Sequence, residues 1–64
     1  MKIEEVKRNL NKIVSFREGE YKLTGCILRK SDDRGYFYQA ELFDIKNGNS
    51  IVIATLEEIN AKIK

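Results

Sequence analysis

The stretch Tyr21-Lys22-Leu23-Thr24-Gly25-Cys26-Ile27-Leu28 decides the fold. Strand alternation places its side chains on two faces: Tyr21, Leu23, Gly25 and Ile27 on one, and Lys22, Thr24, Cys26 and Leu28 on the other. A glycine inside a strand commonly marks a bend at which the strand curls from one sheet into another. The stretch therefore predicts a long strand that bends at Gly25, as a small barrel requires.

The segments on either side supply the other elements. Ile3, Val6 and Leu10 follow helical spacing among charged residues and predict a helix over 2–11. Period-2 patterns then predict strands at about 12–16, 20–30, 36–45 and 50–55, separated by polar or Gly-containing turns. The inward face of the third strand is expected to carry Tyr36, Tyr38, Ala40 and Leu42.

The C-terminal part carries a helix-start signal. Thr55-Leu56-Glu57-Glu58 matches the capping box and predicts a helical turn over 55–59. Residues 60–64 then form either a brief closing strand or a continuation of that helical turn. The fold class expected for 1–64 is a single mainly β domain: an SH3-like barrel of four to five antiparallel strands, with an N-terminal helix and a short C-terminal helical turn.

Three segments carry a family resemblance: Val14-Ser15-Phe16, Lys22-Leu23-Thr24-Gly25-Cys26-Ile27 and Leu56-Glu57-Glu58-Ile59. Together with the N-terminal helix they resemble the layout of Sm-like proteins of the Hfq type, which form rings and bind RNA. Hfq reads RNA with a Lys-His pair, and the matching stretch here, Ile53-Ala54-Thr55-Leu56, has no such pair. The resemblance thus supports the fold more than the activity.

A second resemblance rests on size, a Lys/Ile/Asn-rich composition and the strand Tyr36-Phe37-Tyr38-Gln39-Ala40-Glu41-Leu42. These features are similar to small uncharacterised proteins of phages and mobile elements in Gram-positive bacteria. The resemblance implies a bacterial, phage or mobile-element origin and no particular activity.

Composition excludes most enzyme classes. The 64 residues contain no His and one Cys, so there is no imidazole base, no Cys/His zinc site and no internal disulfide. We therefore expect a non-catalytic binding module without cofactor or metal. The sequence has no membrane-spanning run and no signal-peptide core, and together with the free Cys26 this predicts a cytoplasmic protein.

Two groups have a structural and a chemical interpretation. Cys26 is either a small strand side chain or a reactive or metal-binding thiol, and without a nearby His or second thiol the first is favoured. Asp32 and Asp33, with Asp44 or Glu41, suggest a cation site. Turns also use Asp for local backbone hydrogen bonds, however, and no calcium-loop spacing follows, so the turn is favoured.

The candidate binding site lies on the third strand. Alternation places Phe37, Gln39, Glu41 and Phe43 opposite the inward face, which exposes two rings on one surface. Either the N-terminal helix covers these rings, or they contact a protein partner or a second copy of the chain, or they stack on nucleic-acid bases.

A basic group gives the alternative function. Lys22, Arg29, Lys30 and Arg34 are either solvated surface or, if they converge, a phosphate-binding surface. The net charge of +2 is too small to indicate nucleic acid by itself. The leading hypothesis is a module for protein–protein interaction or self-association, and the alternative is an Sm-like RNA-binding protein.

Overall fold

A computed structural model describes residues 1–48 and 50–61 of the chain. Its elements in chain order are the helix α1 (Ile3–Arg8), the strands β1 (Ile13–Phe16), β2 (Gly19–Ser31), β3 (Gly35–Asp44) and β4 (Ser50–Thr55), a 3-10 turn (Leu56–Glu58) and β5 (Ile59–Ala61). Of the two alternatives left open for residues 60–64, the strand is the one observed for the described residues Asn60 and Ala61, which belong to β5. Residues 62–64 and position 49 of the last predicted hairpin turn lie outside the described residues.

The five strands form one antiparallel sheet in the order β4-β3-β2-β1-β5. The mainly β prediction is therefore confirmed. The sheet does not close into a barrel: β4 and β5 are its two edges, and the described strand pairs do not join them. The closed or partly closed barrel expected from the sequence is thus not confirmed.

The helix is shorter than the predicted 2–11. It ends at Arg8, since Asn9 leaves the helical region with φ −110° and ψ 11° and its side-chain amide donates to the carbonyl of Glu5 at 2.6 Å. Asn11 then adopts a left-handed φ of 67°, a conformation that Asn tolerates better than most residues, and its amide bonds to the carbonyl of Leu23. The segment that follows the helix is therefore hydrogen-bonded to β2 before β1 begins.

β2 contains a bulge at the position where the glycine predicted a bend. The β2–β3 register shifts between Leu23 and Gly25, so Thr24 is an extra residue without its own partner. An inserted residue reverses the alternation that follows it. The predicted faces are therefore wrong beyond the bulge: Cys26, opposite Ala40, lies on the same face as Leu23, whereas Gly25 and Ile27 lie on the other face.

The core lies between α1 and one face of the sheet. We call this the covered face, and it carries Val14, Leu23, Ala40 and Leu42. Val6 of the helix is buried among these residues. The full set of buried apolar residues is Val6, Val14, Phe16, Leu23, Ala40, Leu42, Ala54, Leu56 and Ile59.

Two residues predicted to lie inside are exposed. Tyr36 and Tyr38 share the face of Ala40 and Leu42, as the alternation predicts, but their exposed fractions are 70 % and 43 %. The reason is length: the hairpin of β2 and β3 extends beyond the short helix, so its tip has no layer above the covered face.

The C-terminal turn begins as the capping box predicts. The Glu58 carboxylate accepts from the Thr55 amide at 3.4 Å and from the Thr55 hydroxyl at 3.1 Å. Glu58 also forms an ion pair of 2.9 Å with Arg17 in the β1–β2 turn. The Arg17 and Thr55 hydrogen bonds lower the pKa of Glu58, with Arg17 the larger cause.

Candidate functional site

The four predicted binding residues share one surface. Phe37, Gln39, Glu41 and Phe43 alternate with the buried Ala40 and Leu42 and lie on the opposite face of β3. We call this the open face. Phe37 and Phe43 are both half-buried, and Glu41 lies between them.

The helix does not cover the open face. Val6 packs with the core residues of the covered face, and Ile3 and Leu10 line a groove on that same side. The interpretation in which α1 shields the two Phe rings is therefore wrong.

β4 extends the open face with two residues that the sequence reasoning did not include. Ile51 lies opposite Phe43 and Ile53 lies opposite Glu41. Their exposed fractions are 58 % and 44 %. The signal was available in the alternation of Ser50-Ile51-Val52-Ile53-Ala54, since Val52 and Ala54 face the core and leave both isoleucines outside.

The polar centre of the open face is organised by the bulge. The Thr24 hydroxyl lies 2.9 Å from Oε1 and 3.1 Å from the carbonyl oxygen of Glu41. Within the described residues, the neighbouring Gln39 Oε1 is buried and has no hydrogen-bond partner. Such acceptors are uncommon, because an unmatched buried polar atom costs about 1–3 kcal/mol.

The predicted basic group is divided between the two faces. Arg29 lies opposite Phe37, and the Arg34 guanidinium stands 4.1 Å from the centre of the same ring. Lys22 lies at the other end of the open face, opposite Phe43. Lys30 is on the covered face, with its Nζ 5.4 Å from the centre of the Tyr36 ring. The four cations therefore do not converge.

The sequence reasoning missed a groove on the covered face. It has a volume of about 600 Å³ between α1 and the projecting β2–β3 hairpin. Its apolar lining includes Leu10, Cys26, Leu28 and Tyr38. Only the correct phase of β2 after the bulge would have placed Leu28 beside Tyr38.

Cys26 and the acidic residues show little reactive chemistry. Cys26 is exposed in the groove, and partial burial raises the pKa of its thiol, which disfavours the nucleophilic thiolate. Asp33 accepts from the Ser31 hydroxyl, and Asp44 accepts from the amides of Lys46 and Asn47, so both Asp residues make local turn hydrogen bonds. In the described part of the chain no three His, Cys, Asp or Glu residues are grouped to hold a metal ion.

Comparison with known proteins gives no relative: no family model, no curated protein and no solved structure matches the chain. None of the described helices is long and apolar enough to cross a membrane.

Proposed function

We propose that this chain is a non-catalytic binding module that contacts another protein through its open face. The observation that carries the proposal is an uncovered sheet surface on which Phe37, Phe43, Ile51 and Ile53 surround a polar centre. Aromatic anchors flanked by polar groups are typical of binding hot spots. The proposed setting is a bacterial cytoplasm, with a phage or mobile element as the source.

For the fold, the proposal is an SH3-like or Sm-like small barrel in which the two edge strands, β4 and β5, are not paired with each other. Its support is the strand order, the bulge at Gly25 and the 3-10 turn that connects the two edge strands β4 and β5. These features belong to small barrels in general, so the proposed function depends on the open face and not on the barrel.

The test of function compares two faces of one strand. Phe37→Ser and Phe43→Ser remove the rings of the open face, and Tyr36→Ser and Tyr38→Ser are matched controls on the covered face. We expect all four variants to fold and only the first pair to lose a protein partner in pull-down assays. Truncating a hot spot typically costs about 2 kcal/mol, or roughly 30-fold in Kd. Equal binding by both pairs would refute the assignment.

One observation favours a second candidate, RNA binding. Arg29 and Arg34 flank Phe37, and an aromatic ring beside guanidinium groups is a platform on which bases stack. The absorbance ratio of the purified chain, before and after nuclease treatment, separates the two functions. Bound nucleic acid that is lost in Arg29→Ala and Arg34→Ala would favour RNA over a protein partner.

A further inference from the structure

The two edges of the sheet differ in how they are protected. β5 has three residues, and the carbonyl of its first residue, Ile59, lies 3.5 Å from the backbone nitrogen of Met1. β4 has six residues that pair with β3 in an unbroken register. On its other side, no strand of the described chain pairs with β4.

β4 lacks the features that normally keep edge strands apart. Natural edges carry charges, prolines or bulges, or they are very short. The sequence of β4, Ser-Ile-Val-Ile-Ala-Thr, contains no charge, no proline and no glycine. Its two isoleucines are exposed on the open face. A long, uncharged and apolar edge of this kind favours pairing with another strand.

The backbone groups that point to the free edge of β4 belong to its two exposed isoleucines, Ile51 and Ile53. The Thr55 amide donates to Glu58 Oε1 and therefore points away from β3. Backbone groups alternate in direction along an antiparallel strand. The amides and carbonyls of Ile51 and Ile53 therefore point to the free edge, while those of Val52 point toward β3.

We propose that β4 pairs antiparallel with β4 of a second copy of this chain, about a twofold axis at Val52. Ile51 of each copy then lies opposite Ile53 of the other, and each such pair exchanges both its N–H···O bonds. The four isoleucines meet side by side on the open face. The inference rests on the proposed function and identifies the partner as another copy of the chain.

Charge and symmetry favour a second copy over a different chain. Antiparallel self-pairing places like residues near each other, which is destabilising for charged strands and harmless for an uncharged one. A twofold contact needs only one self-complementary surface and closes at two chains. β5 is a poor partner for β4, because it is half as long and Met1 lies at its first residue.

The decisive experiment is the mass in solution as a function of concentration, by sedimentation or light scattering. We expect wild type to reach twice its 7.5 kDa chain mass, and Ile51→Lys to remain at one chain mass. Leu28→Lys is the control, since Leu28 is 57 % exposed and Ile51 is 58 % exposed, but Leu28 lies in the groove. Ile53→Lys and Ile45→Lys form a second pair, both 44 % exposed.

The register is tested by a disulfide. In a Cys26→Ser background, Val52→Cys should form a covalent dimer on mild oxidation. Residues opposite each other without direct hydrogen bonds have Cα atoms about 4.5 Å apart, within the range of disulfides. Ile45→Cys in the same background is the control and should stay monomeric. Failure of Val52→Cys to cross-link a wild-type-like dimer would overturn the twofold axis at Val52.

The outcomes separate this inference from the proposed function. A wild type that stays monomeric, or a dimer lost in Leu28→Lys and kept in Ile51→Lys, overturns the inference. If such a monomer still binds another protein through Phe37 and Phe43, the proposed function stands. If Ile51→Lys abolishes the dimer while Phe37→Ser and Phe43→Ser change no association, the edge contact stands and the rings are not the contact.

Discussion

The covered face and the open face take their side chains from the same strands but differ in what lies over them. On β3, Leu42 is fully buried beneath the N-terminal segment, while Phe43 beside it is half-buried and has no helix above it. The larger ring is thus on the less buried side. The described part of the chain has one α-helix, and it covers one face of the sheet and not the other.

The largest expected difference between the faces is in stability. Leu42→Ala should lower the free energy of unfolding by about 2–5 kcal/mol, because it leaves a cavity in the core. Phe43→Ala should cost about 1 kcal/mol, since its ring is only half-buried. Denaturant unfolding of both variants measures the contrast. Similar losses would mean that the open face is packed as tightly as the core.

A substitution at the bulge, Gly25→Ala, tests how tightly the open face is packed. A Cβ on Gly25 would lie 3.3 Å from Glu41 Oε1, a carboxylate that the Thr24 hydroxyl holds in place. Gly25→Ala should therefore destabilise the chain by about 1 kcal/mol, and Glu41→Ser in the same chain should remove most of that cost. A double-mutant cycle measures the coupling. Additive effects would show that Glu41 is not the obstacle.

The capping box is an exposed polar contact and should contribute less. Thr55→Ala should cost about 0.5–1 kcal/mol, since it removes the hydroxyl bond to Glu58. In a domain of this size, 1 kcal/mol lowers the thermal midpoint by roughly 4–8 °C. Thr55→Ser keeps the hydroxyl and serves as the control. An unchanged midpoint in Thr55→Ala would mean that the capping bond adds nothing.

The ion pair between Arg17 and Glu58 should have the smallest effect on stability, and that effect should disappear in acid. The folded state lowers the pKa of Glu58, so its contribution is present above the ordinary value of 4.5 and is lost as pH falls through the folded value. The thermal midpoint of wild type should therefore fall more steeply below pH 4.5 than that of Arg17→Ala. Parallel pH profiles would contradict the role of this pair.

The strands, their order along the chain and the place of the irregularity in β2 could be read from the sequence, because period-2 patterns and a glycine inside a strand are local signals. The faces on which the side chains of β2 lie beyond Gly25 could not be predicted from the sequence. A bulge depends on which residue of β3 each residue of β2 meets, and no local pattern marks Thr24 as the extra one.

The candidate site was predictable on β3 for the same reason. Phe37 to Phe43 contains no bulge, so simple alternation gives the correct face. The position of α1 was not predictable, because both faces of the strand offered apolar side chains. The exposure of Ile51 and Ile53 could be read from the alternation of β4, but their positions opposite Phe43 and Glu41 required the β3–β4 register, which the sequence leaves open.

The extra residue at Thr24 sets the phase of β2, because it decides on which face every later side chain of the strand lies. If Thr24 paired as an ordinary strand residue, Ile27 and Arg29 would turn toward the groove beside α1, while Cys26, Leu28 and Lys30 would turn outward next to Phe37. Deleting Thr24 would have no such effect, since Leu23 and Gly25 would become neighbours opposite Leu42 and Glu41, which are already neighbours. The bulge therefore fixes which side chains the open face presents, and a chain one residue shorter at this position would present the same surface.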